Sequence, residues 1–90
     1  MKIRWTEKAA AGLESIGNYI AEDNPEAALR TVTEIFQRIE SLVVFPDRGR
    51  TGIEEGTREL VLSPLPYFAA YRIQESIIEI LYIRHGARKT

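Results

Sequence analysis

Apolar residues recur at helical spacing through the first half of the chain and at strand spacing through its last third. Residues 2 to 5, Lys-Ile-Arg-Trp, alternate as a short strand with Ile3 and Trp5 on one face. Thr6 is placed to cap a helix, and Glu7 follows where a helix N-terminus favours negative charge. Ala9, Leu13, Ile16 and Ile20 then form a single apolar stripe, at spacings of four, three and four. Gly12 and Gly17 each weaken that helix by roughly 1 kcal/mol relative to Ala. Their bareness points to close approach of a neighbouring element.

The stretch Glu22-Asp-Asn-Pro-Glu is a boundary: Asn24 can cap the next helix, Pro25 suits its first position, and Glu26 complements the dipole. Ala28, Val32, Ile35, Ile39 and Leu42 make the second stripe, widened by Leu29, Phe36 and Val43, with Pro46 as its stop. Two helices joined so tightly form an antiparallel hairpin. Residues 46 to 57 hold three glycines and one proline and read as a loop, with Arg48 and Arg50 flanking Gly49 and with Glu54 and Glu55 as available partners.

Three β-patterned runs follow: Arg58-Glu-Leu-Val-Leu-Ser-Pro, Tyr67-Phe-Ala-Ala-Tyr-Arg-Ile, and Ile77-Ile-Glu-Ile-Leu-Tyr-Ile-Arg-His. The gap Gln74-Glu-Ser76 is of hairpin length, so the last two strands are antiparallel neighbours. The order β-α-α-β-β-β predicts an α+β domain over residues 1–90, its helix hairpin packed on one face of a mainly antiparallel four-stranded sheet.

Composition narrows the chemistry. The chain has no cysteine, which excludes a disulfide framework and thiolate metal sites. With 44% hydrophobic residues, ninety residues allow one small core. No run approaches membrane-spanning length and no secretory apolar stretch opens the sequence, so a cytoplasmic location and no membrane partner are expected. No metal spacing and no phosphate-binding glycine loop occur, so no cofactor is expected. The net charge is -1. Proteins that bind nucleic acid through phosphates usually carry a strong basic excess, and here any excess is local.

The ionisable residues of the sheet runs are the candidate site. Arg58 opens the first run, Arg72 lies near the end of the second, and Arg84 and His85 close the third with Arg88 just beyond. Neighbouring strands are expected to gather them into a patch for an anion or an acidic partner. Strict alternation puts His85 with Glu79, Leu81 and Ile83, opposite Ile78, Ile80, Tyr82 and Arg84. Glu79 marks the His85 face as the exposed one. The bland alternatives are that Arg58 pairs with Glu54, Glu55 or a sheet neighbour, that Arg72 stacks on an aromatic, and that His85 is a hydrogen-bonded strand end.

This element order, with Trp5-Thr-Glu-Lys-Ala, Tyr19-Ile-Ala-Glu-Asp-Asn-Pro, Phe45-Pro-Asp-Arg-Gly-Arg, Arg58-Glu-Leu, Tyr71-Arg and Ile83-Arg-His-Gly-Ala-Arg, resembles the RelE/ParE superfamily along essentially the whole chain. These are toxins of type II toxin–antitoxin modules, once called plasmid stabilisation proteins. The resemblance implies growth inhibition, neutralised by an antitoxin in a hetero-oligomer, and it implies one of two targets. ParE-like members poison DNA gyrase by binding. RelE-like members are mRNA interferases that cut mRNA on the ribosome.

Cleavage would need charge stabilisation and proton transfer, roles the resemblance offers to Arg58, Arg72 and His85. Imidazole suits the second task because it ordinarily titrates near neutral pH. Arg48, Arg50, Arg84 and Arg88 are the expected target-binding residues in either case. A tyrosine found after the last strand of several nucleases is replaced here by Gly86-Ala-Arg88, and a lysine-rich central loop by Arg48 and Arg50. The reading therefore leans to the ParE-like, non-enzymatic mode, with a non-toxic homologue that only binds antitoxin as the remaining alternative. An antitoxin tail would cover the apolar surface left open on the helix hairpin.

Overall fold

Thr6 ends the first strand, starts the first helix and ties both to the last strand. The computed structural model describes residues 1–86. Within them β1 (Lys2–Trp5) leads into α1 (Glu7–Ala21), and a tight turn leads to α2 (Pro25–Glu40). The Thr6 Oγ1 accepts from the Ala9 N–H at 3.1 Å, and Asn24 Oδ1 accepts from the Ala27 N–H at 3.0 Å with Pro25 at the first helical position. Both expected caps are present. The second helix stops at Glu40 and tightens into a 3-10 turn over Ser41–Val43, several residues before Pro46.

The hairpin packs on a five-stranded sheet of order β1-β5-β4-β3-β2, with β2 (Arg50–Thr51), β3 (Arg58–Val61), β4 (Tyr67–Gln74) and β5 (Ile77–His85). All pairings are antiparallel except β1 with β5, which is parallel. The expected loop over residues 46 to 57 contains the fifth strand. Arg50 lies opposite Glu59 and Thr51 opposite Arg58, and the Gly52 N–H donates to the Thr57 carbonyl at 2.8 Å. A two-residue strand is too short to show alternation, so its signal is the Arg50–Glu59 charge pair alone.

Ile35, Ile39 and Leu42 of the second stripe meet Ala9, Leu60, Ala69, Tyr71, Ile78, Ile80 and Ile83 in one core. The two helical glycines mark close approaches of neighbouring elements to α1. A Cβ on Gly12 would lie 3.3 Å from the Ile83 carbonyl oxygen, and one on Gly17 would lie 2.9 Å from Val32 Cγ2. The side chains that widened the second stripe stay outside the core: Leu29, Phe36 and Val43 are exposed, as are Val44 and Phe45.

Strand β5 contains a bulge. Ala70 pairs with Tyr82 but Tyr71 pairs with Ile80, so Leu81 is an extra residue with no opposite number. Thr6 holds this point, since its N–H and its hydroxyl reach the Ile80 carbonyl at 3.2 and 2.7 Å. Alternation therefore reverses across Leu81. Ile78, Ile80 and Ile83 all face the helices, whereas Glu79, Tyr82 and Arg84 face away. Changing Ile83 to Asp should abolish cooperative folding, because it drives an unpaired charge into the core. Changing Arg84 to Ala should move the urea-unfolding free energy by no more than about 0.5 kcal/mol. Equal sensitivity at the two positions would contradict the reversed alternation.

Candidate functional site

Arg58, Arg72 and His85 do not converge. Arg58 lies opposite Tyr71 on the helix side of the sheet. Its Nη1 donates to the carbonyls of Asp47 at 3.2 Å and Gly49 at 2.9 Å, and its Nη2 lies 3.5 Å from the Asp47 carboxylate. Its partner is Asp47 rather than Glu54 or Glu55. Arg72 faces the other way, with its Nε 2.9 Å from Glu79 Oε1. The expected aromatic stack belongs to Arg84, whose guanidinium carbon lies 4.0 Å from the Tyr82 ring centroid.

His85 is exposed, but on the helix side, because the bulge separates it from the face of Glu79. It meets Tyr67 edge-on at 5.7 Å and lines a hollow with Gly12, Ile16 and Tyr19 of α1. Its partner across the ladder is Tyr67, whereas that of Arg58 is Tyr71. By ordinary strand spacings the two sites are about 13 Å apart along the strands and about 9.5 Å across them. Arg88 lies outside the described residues.

The Phe45-Pro-Asp-Arg-Gly-Arg segment is fixed by side chains of β3 and β4. The Tyr71 side chain is fully buried beneath it, and its hydroxyl donates to the Pro46 carbonyl at 2.8 Å and accepts from the Gly49 N–H at 2.8 Å. Burial pushes the Tyr71 phenol above its ordinary range, so the proton that bonds Pro46 stays in place. Gly49 is required by contact: a Cβ there would sit 2.6 Å from the Tyr71 hydroxyl. Arg58 clamps the same turn from the strand beside it. The turn presents exposed Val44 and Phe45, with the Arg48 guanidinium 5.0 Å above the Phe45 ring and Arg48 Nη1 3.2 Å from Ser41 Oγ.

The outer face of the sheet carries a second arrangement. Largely buried Glu79 accepts from Arg4 at 2.6 Å and from Arg72 at 2.9 Å, and Arg50 Nη2 lies 2.9 Å from buried Glu59. The Arg4 hydrogen bond first, then that from Arg72, holds the Glu79 carboxyl below the usual range. Beside these pairs Phe68 meets Tyr82 edge-on, and Tyr82 is flanked by Arg84 and by Lys8, whose Nζ lies 5.5 Å from the ring centroid. No group of three or more His, Cys, Asp or Glu that could hold a metal ion occurs among the described residues. No helix among them is long and apolar enough to cross a membrane.

Sequence reasoning missed two residues. Nothing in a lone tyrosine of a β-patterned run shows that its hydroxyl pins a turn, as that of Tyr71 does. Arg38 donates to the carbonyls of Leu62 and Ser63, both at 2.8 Å, and so ties α2 to the connection between β3 and β4. Its place on the polar side of the second stripe gave no hint of this.

A two-layer α+β domain with a polar sheet face and an apolar helix face offers surfaces for other macromolecules. The family model described as "ParE toxin of type II toxin-antitoxin system, parDE" matches residues 3–90, and the chain belongs to that family. It is similar to Y4kP of Sinorhizobium fredii, named as a toxin candidate, with 44% identity over 94% of this chain and 88% of that protein. It is also similar to Toxin RelE2 of Caulobacter vibrioides, with 37% identity over 97% of each. Among solved structures, a chain of the chromosomal ParDE toxin–antitoxin system from P. aeruginosa matches with a TM-score of 0.85 and 35% identity, over 94% of this chain and 95% of that one.

Two outcomes test the local chemistry. Gly49→Ala should destabilise the protein by about 1–3 kcal/mol through overpacking, and Tyr71→Phe by a similar amount through orphaned turn groups. In urea unfolding the double variant should lose less than the sum, because both changes act on one contact. Glu79 has a lowered folded pKa, so the unfolded state binds more protons and stability rises with pH. That contribution is present above the ordinary carboxylate range and is lost as pH falls through the depressed folded value. The stability gap between the native protein and Glu79→Gln should therefore narrow between about pH 6 and about pH 3. A gap independent of pH would contradict the ion-pair assignment.

Proposed function

We propose that this toxin arrests growth by binding DNA gyrase in the cytoplasm, as the ParE-like branch implies, and that a cognate antitoxin neutralises it in a hetero-oligomer. The observation that carries the reading is the dispersal of the groups a nuclease would need. Arg58 is committed to the Asp47–Gly49 turn on one face, Arg72 to Glu79 on the other, and His85 lies beside α1. Charge stabilisation and proton transfer at one phosphodiester require these groups within hydrogen-bond reach of the same atoms. Binding has no such requirement. It needs rigid, exposed, chemically mixed surface, which the Val44–Arg48 turn and the outer sheet face both supply.

The antitoxin reading rests on the exposed residues of the second helix. Leu29, Phe36 and Val43 recur at intervals of seven along α2 and its 3-10 extension, an interrupted apolar strip. Phe36 also stacks on Trp5 at 5.9 Å and borders a hollow lined by Leu13 and Val32. An amphipathic helix from a partly disordered tail suits such a strip.

A second reading, ribosome-dependent mRNA cleavage, draws on the relative named Toxin RelE2 and on the exposure of His85. Induction separates the two. The gyrase reading expects filamentation with a DNA-damage response, intact full-length mRNA, inhibition of purified gyrase, and toxicity that survives His85→Ala. Rapid mRNA loss that His85→Ala abolishes would establish the nuclease instead, and normal growth would mark a homologue that only binds antitoxin.

A further inference from the structure

We infer that the outer sheet face docks an acidic segment of the protein target, one of whose carboxylates is shared by Lys8 and Arg84 over the Tyr82 ring. The inference rests on the binding mode proposed above and names the chemistry of the surface recognised. The two carboxylates carried by the strands on that face already have arginine partners, since Glu79 holds Arg4 and Arg72 and Glu59 holds Arg50, and Glu75 of the β4–β5 turn lines the hollow beside Arg4. Arg84 and Lys8 are exposed, and neither pairs with a carboxylate among the described residues. Both cations sit within 5.5 Å of one ring centroid, so the ring quadrupole is the attraction they share, and their mutual repulsion has no acid among the described residues to offset it. An incoming carboxylate would relieve that repulsion and could bond the guanidinium, a charge-assisted contact stronger than a neutral one.

Charge also chooses the class of partner. The chain is acidic overall, at -1, yet this face sets Arg4, Arg50, Arg72 and Arg84 against Glu59 and Glu79. A phosphate backbone laid across it would meet the two glutamates as well as the arginines. A peptide can place one carboxylate at Arg84 and uncharged residues elsewhere, and the half-buried Tyr82 ring offers those residues apolar contact.

The test is fluorescence anisotropy of labelled hexaglutamate with the full chain at low salt. Changing Lys8 and Arg84 together to Gln should weaken binding roughly tenfold, as expected for loss of two charge-assisted contacts. Changing Arg30, an exposed cation of α2, to Gln should leave it unchanged. Tyr82→Leu, with both cations kept, should also weaken binding. The proposal is overturned if the Arg30 variant and the Lys8–Arg84 double variant behave alike, or if a thymidine hexanucleotide outcompetes hexaglutamate, which would make the partner a nucleic acid. Hexaglutamate binding as expected, together with gyrase unaffected by the native toxin, would sink the gyrase reading and leave the acidic-segment site standing.

Discussion

Strand β5 carries one residue more than its partner between Ile80 and Tyr82, and Thr6 takes hold of the backbone at that point. The Thr6 hydroxyl accepts from the Ala9 N–H, so the bond that caps α1 and the bond to the Ile80 carbonyl meet on one oxygen. The start of the helix is thereby fixed relative to the place where the strand changes face. Beyond it, Gly12 lets α1 pass within contact of the Ile83 backbone, and Ile83 turns into the core instead of Tyr82. Without the extra residue, Tyr82 would point beneath the helices, and Ile83 and His85 would lie on the outer face.

That constraint explains why the helix hairpin was legible and the site was not. Caps at Thr6 and Asn24, stripes at helical spacing and a hairpin-length gap at Gln74-Glu-Ser76 are local signals, and each depends on only a few neighbouring residues. The face of His85 depends on unbroken alternation over seven residues from Glu79, and one inserted residue cancels it. Its trace is the spacing of Ile78, Ile80 and Ile83, two and then three. The neighbouring Leu81 and Tyr82 are apolar as well, so the irregular spacing is hidden in a continuous hydrophobic run. The parallel pairing of β1 with β5 is likewise a long-range fact that no local pattern records.

Arginine placement shows the same division. Arg58 and Arg72 looked equivalent as cations on neighbouring strands, yet adjacent ladder positions point to opposite faces. Arg58 sits across from Tyr71, and the next residue along β4 is Arg72. The two guanidiniums are therefore separated by the sheet itself. Each then finds an oxygen partner on its own side: carbonyls of the Asp47–Gly49 turn for Arg58, the Glu79 carboxylate for Arg72. Arginine's several donors suit it to bind multiple oxygens, which is the structural work these two do.

The consequence for function lies in what these bonds leave rigid. The Val44–Arg48 turn exposes an aromatic and an arginine, the side chains most often found at the energetic centre of protein interfaces. A flexible loop bearing them would lose conformational entropy on binding. Here Tyr71, Arg58 and Gly49 have already fixed the turn during folding, so that cost is removed from association. The outer face is similarly set by its arginine–glutamate pairs. A domain of this size has little core to spare for an enclosed cleft. Two opposite surfaces are instead fixed independently, one through a buried phenol and the other through paired charges.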